Sequence, residues 1–164
     1  MGHVIGFPST VNEKAARTVA AVVVALAVVA VATGALWLAI PLAYGFWARV
    51  LTGPRLSPLG QLATRVIAPR LGAPKLVPGP PKRFAQAMGA AMSTAAAILT
   101  LALGLDTAAT VILLLLAGAA SLEAFAGLCL GCEIFRMLMR TGLIPESVCA
   151  ECADIWSRGR PQSA

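Results

Sequence analysis

Hydrophobic residues fall along the chain in four long blocks, separated by short polar breaks. The first, Ala15 to Gly34, is mostly Ala and Val after Arg17. The second, Ala35 to Thr52, carries Trp37 near one end and Trp47 near the other, as expected of aromatic anchors at two membrane interfaces. The third runs from Phe84 to Leu103 and the fourth from Thr107 to Leu128. Blocks of about 18 to 22 residues, rising about 1.5 Å each, match a hydrocarbon core of about 30 Å. The pattern predicts four transmembrane helices, with a kink where Pro41 interrupts the second. Gly34 alone, and Gly104-Leu105-Asp106, leave room only for tight turns, so the helices form two hairpins. Ala85, Gly89 and Ser93 recur every fourth residue on the third span, as do Ala117 and Ser121 on the fourth. Small residues at that spacing let helix backbones approach closely.

Composition supports an all-α, polytopic membrane protein. Of 164 residues, 59% are hydrophobic and 12% charged, against roughly a quarter charged in soluble domains. Residues 1–128 form the four-helix domain, with spans at 15–34, 35–52, 84–103 and 107–128 and a loop at 53–83; residues 129–164 form a cysteine-containing tail. With four spans, all 13 Lys and Arg fall on one side, while the other side has only Asp106. The positive-inside rule makes the basic side cytoplasmic and places both termini there, in a multi-pass protein of the cell membrane. A cleaved signal peptide over residues 1–33 is the competing reading, with Lys14 and Arg17 as its basic region and Val31-Ala32-Thr33 near the cleavage site. It would leave three spans and spoil the charge segregation. The net charge of +6 thus records topology, and no nucleic-acid partner is expected, because no basic face is studded with aromatics.

The loop contains one structured stretch, Arg55 to Leu71. Ser57 and Pro58 start a helix, Leu59, Leu62, Ala63 and Val66 form an apolar stripe opposite Gln61, Thr64 and Arg65, and Pro69 ends it. An amphipathic helix in the inner interface, drawn to anionic lipid headgroups, fits this pattern; a solvated connector is the alternative. Ala73 to Pro81, with four prolines, reads as a stiff extended linker without packed structure.

All four cysteines lie in the tail, as Cys129-Leu-Gly-Cys132 and Cys149-Ala-Glu-Cys152. A reducing cytoplasm disfavours stable structural disulfides, which leaves redox chemistry, sulfur transfer or metal binding. The spacing C-x₂-C-x₁₆-C-x₂-C also fits a four-thiolate zinc site, with Gly131 the one knuckle-like glycine. The fourth span is expected to continue as a helix through Arg140 to Gly142, and Pro145 to start a short helix ending at Trp156. That continuity puts Cys129 and Cys132 at the unfavourable end of a helix dipole for a thiolate, with Arg136 as an offset. Glu123 is the carboxylate inside a span, about 9 Å of helix before Cys129. It is either an accessory proton acceptor for Cys129 or a group that snorkels to the headgroups or pairs with Arg49. His3, the sole histidine, belongs to the terminus, and no Ser/His/Asp triad or phosphate loop can be assembled.

The segments VNEKAAR (Val11 to Arg17), GPRLSPLGQLA (Gly53 to Ala63), PPKRFAQ (Pro80 to Gln86), CLGCE (Cys129 to Glu133) and IPESVCAECADIW (Ile144 to Trp156) resemble a bacterial integral-membrane family of unknown function, family 4395, common in actinobacteria. The resemblance implies a four-helix membrane protein, an association with thiol or sulfur metabolism, and no established activity. The expected function is a membrane-embedded thiol–disulfide or sulfur-handling protein. Cys129 and Cys132 are its reactive pair, Cys149 and Cys152 its relay, and a cytoplasmic thioredoxin-like or rhodanese-like protein its partner. The alternatives are a non-enzymatic scaffold whose four cysteines hold structural zinc, and a small transporter using Pro41 and Glu123. A bundle this small is also expected to associate with copies of itself.

Overall fold

The computed structural model of the protein describes residues 8–149. After a short strand β1 (Thr10–Asn12), helix α1 covers Glu13–Thr33. Asn12 caps it by accepting the Lys14 N–H at 3.0 Å, and Glu13 suits the positive end of the dipole. Gly34 ends it in the left-handed conformation, φ 69°, which a glycine adopts without steric cost. A 3₁₀ turn, Leu36–Leu38, leads into α2 (Ala39–Thr52). Pro41 therefore stands in the first turn of the α-helix, where chain winding changes from 3₁₀ to α. Helix termini leave their first N–H groups unbonded in any case, so its missing donor costs little there.

The loop folds as α3 (Pro58–Leu62), a π-helical turn Ala63–Ile67 and α4 (Ala68–Arg70). Ser57 caps α3 by accepting the Gly60 N–H at 3.1 Å. Strand β2 (Leu76–Pro78) follows, then α5 (Gly79–Leu101), α6 (Asp106–Ser121), a π-helical turn Leu122–Ala126, α7 (Leu130–Arg140) and a 3₁₀ turn Glu146–Val148. Three helices, Glu13–Thr33, Gly79–Leu101 and Asp106–Ala126, are long and apolar enough to cross a membrane; the apolar stretch Leu36–Thr52 is shorter.

The two expected hairpins interlock instead of standing side by side. Helix α2 packs most extensively on α5, α5 on α6 and α6 on α1, whereas α1 and α2, consecutive in sequence, barely touch. Ala27, Ala30, Ala39, Ala90, Ala96, Ala109 and Leu113 are buried at this centre, while Val28, Tyr44, Ile98 and Leu115 face outward. Gly89 explains the α2–α5 contact, since a Cβ there would lie 2.3 Å from the Phe46 ring. Every described Lys and Arg sits at the end of the bundle where α1 begins and α2 ends.

The seam between α1 and α2 is covered at that end by α3 and the following π turn. They dock through small residues: Ala63 and Ala68 are fully buried, whereas Leu62 (49% exposed) and Val66 (37%) point outward. The amphipathic stripe thus divides, with Leu59 and Ala63 facing protein while Leu62 and Val66 face away. The linker also differs from expectation, because β2 pairs antiparallel with β1, Val11 opposite Val77. Proline-rich backbone is already extended, and a two-stranded ribbon has only edges, where proline is tolerated. Ion pairing reinforces the ribbon: Lys75 Nζ lies 2.7 Å from Glu13 Oε2, and Lys14 Nζ donates to the Leu71 carbonyl at 2.7 Å.

Gly89→Ala is expected to destabilise the detergent-solubilised protein by about 1–3 kcal/mol, the usual cost of overpacking. Phe46→Leu in the same chain should recover part of the loss, and equal melting temperatures for wild type and Gly89→Ala would show that α2 and α5 do not meet there.

Candidate functional site

The site is created by a break in the helix that the sequence pattern read as continuous. At Gly127, φ 68°, the chain turns left-handed, and the Gly127 and Leu128 N–H groups both donate to the Leu122 carbonyl. Arg17 of α1 supplies the other terminator. Its Nε and Nη2 donate to the carbonyls of Ala124 at 3.1 Å and Phe125 at 3.0 Å, giving the C-terminal end of the helix the cation its dipole favours. A new helix, α7, then begins at Leu130 with Cys129 as its N-cap residue.

This reverses the expected electrostatics of the first cysteine pair. Cys129 and Cys132 occupy the N-terminal turn of α7, the end of a helix that stabilises a thiolate. Both are free thiols, Cys129 buried and Cys132 half-buried, with their sulfurs 2.7 Å apart. The Cys132 thiol donates to Cys129 Sγ, and this bond, helped by the Lys82 ammonium, holds the Cys129 thiol below its usual range against the opposing effects of burial and of Glu123. Cys132 is pushed up, first by giving that hydrogen bond, then by burial and by the negative charge of Cys129. Of the two sulfurs, Cys129 is thereby the more acidic and Cys132 the one that keeps its proton.

Lys82 is the member of this cluster that sequence reasoning passed over, counting it only as one basic residue among many. It stands in the first turn of α5, 7% exposed, and pairs with Glu123 Oε1 at 2.5 Å. Glu123 therefore takes Lys82 as its hydrogen-bonded partner, while Arg49 acts on it only through space. The intervening break also removes the simple helical rise expected between Glu123 and Cys129. A buried pair of this kind is costly to split: removing one partner alone typically costs about 3–5 kcal/mol. The carboxylate lies in the π turn Leu122–Ala126, a geometry often found at functional sites.

Gly131 has a packing role rather than a knuckle role. A Cβ on it would lie 2.6 Å from both Cα and Cβ of Ala85, so glycine lets the first turn of α7 rest directly on α5, one turn beyond Lys82. Phe135 continues the contact, its ring 5.7 Å from that of Phe84. The far face of α7, with Leu130, Ile134 and Met137, is exposed, and Glu133 pairs with Arg136 instead of leaving that arginine to the thiols.

The structure thus brings together Cys129, Cys132, Lys82 and Glu123. Cys149 is buried and disulfide-bonded, whereas Cys152, most of the helix expected to reach Trp156, and His3 lie outside the described residues. Pro41 and Glu123 sit at opposite ends of the bundle, so the two residues of the transporter reading do not meet. The signal that could have revealed the break was the glycine pair Gly127 and Gly131 flanking Cys129, a helix stop followed by a close-packing position.

A family model, Domain of unknown function (DUF4395), matches residues 11–140. Comparison with curated proteins and with solved structures finds no match.

Thiolate formation is expected to be visible in the pH dependence of alkylation. Cys129 should react with a half-maximum below the ordinary thiol pKa of about 8.5. Removing the hydrogen-bond donor in Cys132→Ala should move that midpoint up, and removing the opposing carboxylate in Glu123→Gln should move it down. Peptide mass spectrometry after timed alkylation reads both, and shifts of the same sign in the two variants would refute this assignment of charges.

Proposed function

The chain belongs to the DUF4395 family, and from that premise we propose that it is a membrane-embedded thiol–disulfide or sulfur-handling protein working through Cys129 and Cys132. The observation that carries the reading is the pair of free thiols on the N-terminal turn of α7, sulfurs 2.7 Å apart, beside a buried Lys82. In the proposed step, the Cys129 thiolate attacks a partner's disulfide, forms a mixed disulfide and expels the partner's other sulfur as a thiolate. Cys132 gives up its proton and attacks Cys129 Sγ. The partner's remaining sulfur leaves, and Cys129 and Cys132 are joined as a disulfide. Two electrons pass to the partner, and a second dithiol restores the pair by the reverse sequence. Lys82 stabilises the attacking thiolate; Glu123 holds Lys82 in place and is an accessory acceptor for the Cys132 proton. Cys149 and Cys152 are the relay to a cytoplasmic thioredoxin-like or rhodanese-like protein.

We further propose four membrane passages, with α2 and its 3₁₀ lead-in as the short second span and the basic end in the cytoplasm of the cell membrane. The gathering of described Lys and Arg at one end, opposite Asp106, supports this orientation. The outward Leu62 and Val66, flanked by exposed Arg65 and Arg70, support an interfacial role for the loop at anionic headgroups.

Two experiments test these readings. Reporter fusions at Ala73 and at the C-terminus should report cytoplasm, and single accessible cysteines replacing Gly34 or Asp106 should label from outside; external labelling at position 73 would overturn the four-span topology. In the second, Cys132→Ser should trap mixed disulfides through Cys129, because the resolving thiol is gone. Metal analysis of the same preparation addresses the zinc alternative: about one metal per chain without trapped adducts would replace the redox reading with the scaffold.

A further inference from the structure

The strongest feature left unused is a cavity at the covered seam, bounded by α1, α2, α3 and α5 and adjoining the dithiol through Lys82. Its polar lining is Arg49, Lys82, Gln86 and Thr64, with Ala15 and Val19 opposite, and its volume is about 60 Å³. Both cations are buried, Arg49 6% and Lys82 7% exposed. Among the described residues the Arg49 guanidinium finds only neutral acceptors: Nε donates to Gln86 Oε1 at 2.8 Å and Nη1 to Ser57 Oγ at 3.4 Å. Its plane also lies over the Phe46 ring, 4.7 Å from the centroid.

Two buried cations therefore share one carboxylate, Glu123. The other described carboxylates are engaged elsewhere, Glu13 with Lys75, Glu133 with Arg136, and Asp106 with the Thr100 hydroxyl at the far end. The side chain of Glu146 lies outside the described residues. Arg17 adds a third cation nearby but spends its hydrogen bonds on backbone carbonyls. Surplus positive charge held away from water, next to unused guanidinium donors, is a site for an anion. The cavity holds roughly four to six water-sized probes, taking 10–15 Å³ for each. That suits an anion of one to four heavy atoms and excludes a nucleotide or other large cofactor.

We infer that this cavity binds a small monovalent inorganic anion, and binds it more tightly when Cys129 and Cys132 are joined as a disulfide. The second half rests on the thiol function proposed above; the first does not. The link is electrostatic. The Cys129 thiolate acts on Lys82 through space, so in the dithiol state it supplies part of the missing negative charge. Disulfide formation removes that charge and leaves Arg49 and Lys82 facing Glu123 alone. By reciprocity the anion favours the oxidised pair and raises the Cys129 pKa, as any ligand linked to a second equilibrium must.

The test is chloride-35 line broadening on the full chain in neutral detergent, titrated with chloride against gluconate at constant ionic strength. Saturable broadening is expected in the oxidised protein, with at least five-fold weaker affinity in the dithiol form, the lower end of common coupling strengths. Cys129→Ser, which has no thiolate, should bind as tightly as the oxidised wild type whether or not reductant is present. Arg49→Gln should lose the saturable component and Arg49→Lys should keep it, which separates a lost site from a lost fold. Absence of saturable broadening in the oxidised protein would overturn the anion site. Equal affinity in the two redox states would overturn the linkage. Because Cys129→Ser cannot exchange disulfides, chloride binding there is judged apart from thiol chemistry. Adduct trapping without chloride binding would sink this inference alone, and chloride binding without trapping would sink only the thiol function and the linkage built on it.

Discussion

The buried ion pair of Lys82 and Glu123 is the constraint on which the charged end of the bundle depends. It joins the first turn of α5 to the π-helical turn that follows α6, in a place where both side chains are largely removed from water. Either charge alone would have to neutralise or drag its helix toward the surface. Together they set the relative height of the two helices. Gly131, resting on Ala85 one turn along α5, is placed by the same registration, and with it the cysteine pair. The pair's position is thus inherited from an electrostatic tie between two spans and not from the tail.

Within the apolar region no comparable force is available, since lipid chains are as apolar as the side chains they would replace. Contact there comes from backbone proximity. The fully buried Ala30, Ala39, Ala90, Ala96 and Ala109, and the seating of Phe46 over Gly89, are what such packing requires. Many large aliphatic side chains on these helices, such as Val28, Ile98, Leu114 and Leu115, face outward, as they would not in a soluble core. Leu42, Leu113 and Leu116 are instead enclosed within the bundle, Leu113 completely. The charged end supplies register and the small residues supply closeness.

The apolar helices were legible in the sequence because each is an unbroken block, and the observed helices follow those blocks within a few residues at most ends. The breaks at Gly34 and before Asp106 were legible too, but not which helices would pack: Ala-rich faces offer nearly equivalent surfaces in several directions, and α1 settles on α6 rather than on α2. The β1–β2 ribbon was hidden because three-residue strands carry no period of their own and their pairing is long-range. At the site, residues 128–135 keep a helix-compatible apolar pattern, so the Gly127 break and the reversal of the dipole at Cys129 could not be read from period alone. Lys82 was lost among neighbours of the same sign. Only the three-dimensional meeting of α5 with α6 distinguishes it from Arg83, which instead donates to the Val50 carbonyl.

The β1–β2 ribbon has a consequence for the order in which the molecule can be made. Synthesis proceeds from the N-terminus, so β1 and the whole first hairpin leave the ribosome well before the partner strand β2 exists. Until then β1 presents unpaired backbone groups and α1 lacks both its pairing strand and the Glu13–Lys75 tie. Helix α1 is therefore made with that end unsecured. Arrival of residues 76–78 then fastens that end, just before α5 is made. The ribbon is therefore a clasp that closes midway through biogenesis, joining the first half of the protein to the second before the helices that bear Lys82 and Glu123 have met.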